Sequence, residues 1–218
     1  MREVPVAASA SSAEAGTLDG PAPKRPSAGL IDAGISISVM ARLCQPGSSA
    51  QHRSTPWQAA AVQIRRRPIT HPDAALLVEQ VQEEYVERYG SRDDTPIEPG
   101  YFDPPDGAFF VGYDGRTPVA TGAWRRRSDV PALGTADTAE IKRMYVVRDR
   151  RGQGLARQML AHLEQTAAAA GAEVVVLETG LRQPEAIGMY ESSGYTPIPG
   201  FGYYRAAALS RCFARRIG

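Results

Sequence analysis

The residues with the clearest chemical potential form one short turn between a predicted strand and a predicted helix, the segment RGQGLA at residues 151–156. Glycine lacks a Cβ, so it lets the backbone approach a ligand closely. The first turn of a helix leaves N–H groups without partners and carries a partial positive charge. These features predict an anion site suited to a pyrophosphate. Arg150 and Arg151 add positive charge to the same turn.

The glycine spacing alone does not separate a phosphate site from an ordinary turn. The dinucleotide-binding pattern G-x-G-x-x-G is not completed, because Arg157 stands where the third glycine would be. The pattern G-x-x-x-x-G-K-[ST] of phosphate-binding loops does not occur. Both observations argue against those two nucleotide-binding classes. From the turn alone, an anion site and a plain turn remain open.

The elements that must position this turn follow from hydrophobic periodicity. A strand is predicted in AVQIRRR from residue 61, a helix in HPDAALLVEQVQEEYVERYG with Gly90 placed to end it, and a hairpin around Asp114-Gly115. A third long strand, TAEIKRMYVV, enters the turn, and the helix GLARQMLAHLEQTAAAAGA leaves it. The apolar strand EVVVLE, a short helix in PEAIGMYESSG and two final strands around an aromatic loop follow. This order predicts a mixed α/β sheet with a right-handed parallel crossover between Ile141 and Glu178.

The composition indicates one ordinary soluble domain that follows a long segment of small and polar residues. Residues 1–60 are rich in Ala, Ser, Gly and Pro, which predicts disorder, and residues 61–218 are predicted to form one domain. A net charge of +1 gives no indication of nucleic acid or membrane binding. Cys44 and Cys212 are far apart, and the three histidines form no metal-binding motif. We therefore expect a cytoplasmic protein with no metal, no signal peptide and no membrane span.

The segments around the turn resemble the GNAT superfamily of N-acetyltransferases. Its motif for the pyrophosphate of coenzyme A, Arg/Gln-x-x-Gly-x-Gly/Ala, is matched by the turn itself. EIKRMYVV resembles the family's fourth strand, EVVVLETG its fifth, and PEAIGMYESSGY its closing helix with a tyrosine. The resemblance is strongest from Glu140 to Tyr195. It implies a GNAT-like, mostly antiparallel sheet with a parallel central βαβ crossover and helices on both faces.

The resemblance also implies which residues hold acetyl-CoA and which act on it. The pantetheine arm would lie between the fourth and fifth strands, with Thr179 in place of the family's usual asparagine. Glu140 is the expected general base, with a strand-end charge paired to Lys142 or Arg143 as the alternative. Tyr190 is the expected acid for the coenzyme A thiolate, with simple packing on the sheet as the alternative. The expected cofactor-binding residues are Tyr145, Val146, Val147, Arg151, Gly152, Gln153, Gly154, Leu155, Ala156 and Thr179.

The implied function is that of an acyl-CoA-dependent N-acyltransferase. It would move an acetyl group from acetyl-CoA to a primary amine, directly and within a ternary complex. A small-molecule acceptor is expected because the chain has no added recognition domain. A non-catalytic acyl-CoA-binding or sensing module and a protein acetyltransferase are the alternatives, and a homodimer stays open. The acidic loop DDTPIEPGYFDPPDG and the aromatic loop PIPGFGYYR are the expected acceptor-binding segments.

Overall fold

The computed structural model of the protein describes residues 62–218. The predicted disordered segment, residues 1–60, lies outside the described residues. Within them, seven strands and three α-helices follow the predicted order. Their bounds are β1 Gln63–Arg66, α1 Pro72–Tyr89, β2 Gly107–Asp114, β3 Thr117–Arg126, β4 Thr138–Val146, α2 Leu155–Ala169, β5 Val174–Gly180, α3 Pro184–Ser192, β6 Thr196–Ile198 and β7 Ser210–Arg216. Two 3₁₀ turns, Pro99–Phe102 and Arg148–Arg150, complete the description.

The strands form one sheet in the order β1-β2-β3-β4-β5-β7-β6. The pair β4–β5 is parallel, and the other neighbouring pairs are antiparallel. Helix α2 makes the crossover between the two parallel strands. The predicted mixed sheet with a central parallel βαβ unit is confirmed.

Helices cover both faces of the sheet, as predicted. Helices α2 and α3 pack on one face against alternate strand residues such as Ile141 and Leu177. Helix α1 packs on the opposite face through Ala74, Leu77 and Val81. Near β5 and β7 that second face is covered by Phe201 from the β6–β7 loop. Side chains of one strand therefore reach different compartments according to whether their position is odd or even.

The two parallel strands separate halfway along their length. Their pairing ends at Ile141 opposite Leu177, after which β5 pairs only with β7. On its other side β4 carries a bulge, where the register to β3 shifts between Lys142 and Tyr145. Arg143, inside the bulge, has a φ of 55°, which few residues other than glycine adopt. Because a bulge bends its strand, β4 turns away from β5 and a wedge-shaped gap opens.

Candidate active site

A cavity of about 440 Å³ occupies the gap between β4 and β5. Its walls come from both strands, from α1 and α3, and from the segment that precedes β7. Two of the expected site residues, Tyr190 and Thr179, line it, together with Glu178, Lys142 and Arg143. Since α3 and α1 cover opposite faces of the sheet, the cavity is reached by side chains of both faces.

On β4, Val146 is the residue whose backbone N–H and carbonyl groups point toward the gap. The Val147 N–H donates to the Val119 carbonyl of β3 at 3.0 Å. Antiparallel residues alternate in direction, so Tyr145 also turns its backbone groups to β3, and Val146 turns its own toward the gap. This geometry favours Val146 over Tyr145 and Val147 as the residue whose backbone pairs with pantetheine. The Val147 carbonyl also already accepts from the Arg150 N–H at 3.0 Å.

The opposite edge of the gap belongs to Glu178. The Leu181 N–H donates to the Leu209 carbonyl at 2.8 Å, so the odd-numbered positions of β5 bond to β7. By alternation the backbone N–H and carbonyl of Glu178 point toward β4, beyond the last paired residues. The Thr179 hydroxyl donates to Gln183 Oε1 at 3.2 Å, next to the start of α3. The gap thus has hydrogen-bonding backbone on both sides.

The gap leads to the N-terminus of α2, where the predicted anion site lies. Gly152 and Gly154 have φ values of 74° and 80°, and a Cβ added at either would meet no atom within 4 Å. Helix α2 begins without a side-chain cap. Among the described residues, no acceptor is found for the N–H groups of residues 152–157. The backbone therefore presents open donors where the sequence predicts a phosphate site.

The arginines of this turn face elsewhere. The Arg151 Nε donates to the Val146 carbonyl at 2.9 Å, and its guanidinium forms a salt bridge with buried Glu84 of α1. Arg150 pairs with Asp114 at 3.0 Å. Because both side chains already pair with carboxylates, their charge is less available to an anion at the turn. Arg151 instead fixes the path of the chain between β4 and the glycine turn.

Tyr190 lies where the sequence predicts the acid. It is buried, and its hydroxyl donates only to the Met144 sulfur at 3.7 Å. Thioether sulfur is a weak acceptor, so the proton remains available to a stronger one. Burial, and to a lesser extent Tyr85, raises the pKa of Tyr190 above its ordinary value. The side chain is therefore a protonated phenol at neutral pH.

Glu140 does not have the surroundings of a general base. Its side chain is 1% exposed, and one oxygen accepts from Arg125 at 2.9 Å and from Arg127. The other oxygen lies 3.1 Å from Lys142 Nζ. Burial opposes ionisation of Glu140, but these three cations outweigh it and hold the pKa below its ordinary value. A carboxylate enclosed by three cations is a poor proton acceptor, so these surroundings favour the alternative of a paired strand charge over the predicted role of Glu140 as base.

Glu178, which the sequence analysis did not select, has the surroundings that Glu140 lacks. It lines the cavity and accepts one hydrogen bond from the Ser210 hydroxyl at 2.5 Å. Burial raises the pKa of Glu178, and Ser210 and Lys142 offset this only in part. A polar residue at the end of the apolar run VVVL was the available signal in the sequence. A partly buried carboxyl of raised pKa suits proton abstraction near neutral pH.

Unpartnered polar atoms also mark this cavity as a binding site. Three buried side-chain atoms within residues 62–218 lack hydrogen-bond partners. Two of them, Arg143 Nε and the Tyr89 hydroxyl, belong to residues that line the gap. Buried polar groups are costly when unpaired, so a polar ligand in the gap would satisfy them. Amide and carbonyl groups, which pantetheine carries, fit such an environment.

Within residues 62–218, no group of three or more His, Cys, Asp or Glu side chains could hold a metal ion. None of the helices between residues 62 and 218 combines the length and the apolar character needed to cross a bilayer.

The sequence matches the model of the acetyltransferase (GNAT) family over residues 75–195, which is more than half of the chain. The chain therefore belongs to the GNAT family. The match includes the gap, the glycine turn and Tyr190, so the sequence resemblance to this family is confirmed.

Individual relatives are more distant. Over 71 residues the chain is 38% identical to an "IAA acetyltransferase" of Azospirillum brasilense, which is 33% of this chain but only 46% of that relative. A GNAT acetyltransferase of Staphylococcus aureus superposes with a TM-score of 0.59, 15% identity and coverage of 72% and 100% of the two chains. The protein yncA of Salmonella typhimurium, solved with its cofactor acetyl-CoA, gives a TM-score of 0.54, 18% identity and coverage of 72% and 95%. The likeness to solved structures shows the shared fold.

Proposed function

We propose that this protein is an N-acetyltransferase that moves an acetyl group from acetyl-CoA to the primary amine of a small molecule, by direct transfer in a ternary complex. The observation that carries the proposal is the gap between β4 and β5, which has open backbone edges on both sides and leads to an uncapped helix N-terminus. Family membership supports the same reaction.

The gap and the glycine turn would divide the binding of acetyl-CoA between them. The backbone of Glu178 would pair with the pantetheine amides as an added strand does. The N–H groups of residues 152–156 would hold the pyrophosphate. When bound, acetyl-CoA supplies the thioester. The Val146 N–H, directed into the gap, would stabilise the oxyanion that forms on its carbonyl.

Glu178 and Tyr190 would carry out the two proton transfers. Glu178 takes the proton from the attacking amine as the new C–N bond forms. Tyr190 gives a proton to the sulfur as the C–S bond breaks. Afterwards Glu178 releases its proton to solvent and Tyr190 takes one from solvent, so both side chains return to their starting states. The side chain of Glu178 projects to the α1 face and Tyr190 approaches from the α3 face. This arrangement supports entry of the amine and the cofactor from opposite sides of the sheet.

Two experiments together test the function. Thermal unfolding with acetyl-CoA measures binding, because a ligand specific for the folded state raises the midpoint by mass action. Thiol release against a panel of small amines measures turnover. We expect a raised midpoint and amine-dependent release of coenzyme A. The variant Tyr190→Phe should lose the release of coenzyme A and keep the raised midpoint.

The same experiment separates the alternatives. A raised midpoint without thiol release from any amine or peptide would favour a non-catalytic acyl-CoA-binding module. Release with peptides but not with small amines would favour a protein acetyltransferase. An unchanged midpoint of the folded protein would contradict acetyl-CoA binding itself.

A further inference from the structure

A second cavity, of about 790 Å³, lies on the α1 face of the sheet beside the gap. Three arginines and several aromatic or apolar side chains form its walls. The members that carry the argument are Tyr101, Arg125, Arg127, Phe201, Tyr203 and Arg205. Its segments include both loops that the sequence analysis expected to bind the acceptor, but the charge is opposite to that expected from the acidic loop.

The acidic residues of the early loop do not supply a cation site. The Asp93 carboxylate receives the buried Arg143 guanidinium at 2.8 Å, and its other oxygen accepts from Thr95. Burial opposes ionisation of Asp93, but Arg143 and Thr95 hold the pKa below its ordinary value. This carboxylate is therefore already neutralised, and it closes the loop onto the β4 bulge.

Positive charge is in excess around the second cavity. Arg125, Arg127 and Lys142 share the single carboxylate of Glu140. The only acidic residue that lines the cavity in the described part of the chain is Asp129, which Arg127 binds at 2.8 Å. Arg205 donates to the Gly202 carbonyl at 3.3 Å, and no carboxylate within residues 62–218 pairs with it. Four cations thus face two carboxylates.

Such an excess favours an anionic ligand. Partly buried cations that share one carboxylate remain under-compensated, and a second carboxylate would lower their electrostatic energy. A guanidinium edge matches a planar carboxylate with two parallel hydrogen bonds. The Arg125 guanidinium, stacked 4.8 Å from the Tyr101 ring, uses Nε and one terminal nitrogen for Glu140. The apolar and aromatic walls suit an organic carboxylate better than a free phosphate.

The ion cluster also joins this cavity to the reaction site. Lys142 lines the gap and lies 3.1 Å from Glu140 Oε1, while Arg125 and Arg127 line the second cavity and contact Oε2. Thr95 lines both cavities. The two cavities therefore adjoin at Thr95 and at the ion cluster around Glu140.

We propose that the second cavity binds the carboxylate of the acceptor, so that the substrate is a primary amine that carries a carboxylate on an apolar or aromatic body. The proposal rests on the proposed function, since it names the acceptor class of that reaction. Arg205 and Nη1 of Arg125, the terminal nitrogen that is not used for Glu140, form the carboxylate site. Phe201 and Tyr101 contact the apolar body.

The test compares apolar amino acids with their own carboxamides as acceptors, with thiol release as the measurement. We expect kcat/KM to be roughly ten- to a hundredfold higher for the acids, which corresponds to one charged hydrogen bond. Arg205→Gln should lower the ratio of kcat/KM for the acids to kcat/KM for the carboxamides by about tenfold, through a loss on the acids. Arg116→Gln is the matched control, because Arg116 is exposed in the β2–β3 turn and lines neither cavity.

A second measurement does not depend on turnover. Calorimetry with N-acetylated apolar amino acids and their amides, on the full chain, reports the anion site directly. We expect the N-acetylated amino acids to bind, and we expect Arg205→Gln to weaken their binding. Carboxamides that turn over as well as the acids would overturn the acceptor class and leave the transferase intact. Acids that bind without thiol release from any amine would uphold the site and contradict the transferase. No binding of the acids would overturn the site.

Discussion

Glu140 and Glu178 lie on the same face of the sheet, on neighbouring strands, and their surroundings shift their pKa values in opposite directions. Three cations enclose Glu140, whereas Glu178 accepts from a neutral hydroxyl and faces the cavity. Two carboxylates of one sheet therefore have different chemistry. The first organises positive charge, and the second is the candidate proton acceptor.

The variant Glu178→Gln tests this assignment at the residue scale. We expect kcat to fall by about 10²- to 10⁴-fold, the usual contribution of a general base, while acetyl-CoA still raises the unfolding midpoint. In the unsubstituted protein, activity should decline as pH falls through the raised pKa of Glu178, because only the carboxylate accepts a proton. A pH profile of kcat/KM measures this. An unaltered acid limb in the Gln variant would contradict the role of Glu178.

At the scale of elements, the sequence predicted the order of strands and helices because each element carries its own periodicity and turn residues. It did not predict the bulge, since no glycine marks the left-handed conformation that Arg143 adopts. It also missed the partners of Glu140. Arg125 and Arg127 reach that residue through the antiparallel register of β3 and β4, which periodicity alone does not specify. The same register determines which of Tyr145, Val146 and Val147 turns its backbone toward the gap.

The glycine turn before α2 allows a matched prediction at this scale. Gly154→Asp and Gly154→Asn introduce side chains of nearly equal size, and both residue types tolerate positive φ better than most. We expect the Asp variant to lose acetyl-CoA binding by at least tenfold relative to the Asn variant, because a carboxylate would face the pyrophosphate. Calorimetric titration of the two folded variants measures this difference. Equal affinities would rule out a phosphate at this turn.

At the scale of the whole molecule, the ionised Glu140 side chain makes the free energy of unfolding depend on pH. Its folded-state pKa is lowered, so its contribution is present above the ordinary glutamate pKa and is lost as pH falls through the folded value. Glu140→Gln should reduce the free energy of unfolding at pH 7 by about 3 kcal/mol, since three cations lose their shared partner. It should also flatten the decline in stability toward acid pH.

Denaturant unfolding at pH 7 and below pH 4 measures both effects. Glu173→Gln is the matched control, because its exposed pair with Arg216 at 3.7 Å should contribute less than about 1 kcal/mol. A Glu140→Gln variant that is as stable as the control at pH 7, yet inactive, would return Glu140 to the role of base.

The separation of β4 and β5 has a consequence for the solubility of the chain. Within the sheet, the Val146 N–H and the backbone of Glu178 lie on two short strand edges that an extended segment of suitable length could pair with. Open edges invite pairing with other chains, and natural sheets usually protect them. A ligand that fills the gap would act as such a protection. When this ligand is depleted, a larger fraction of the protein would have these strand edges unpaired, and that fraction would be more prone to aggregate.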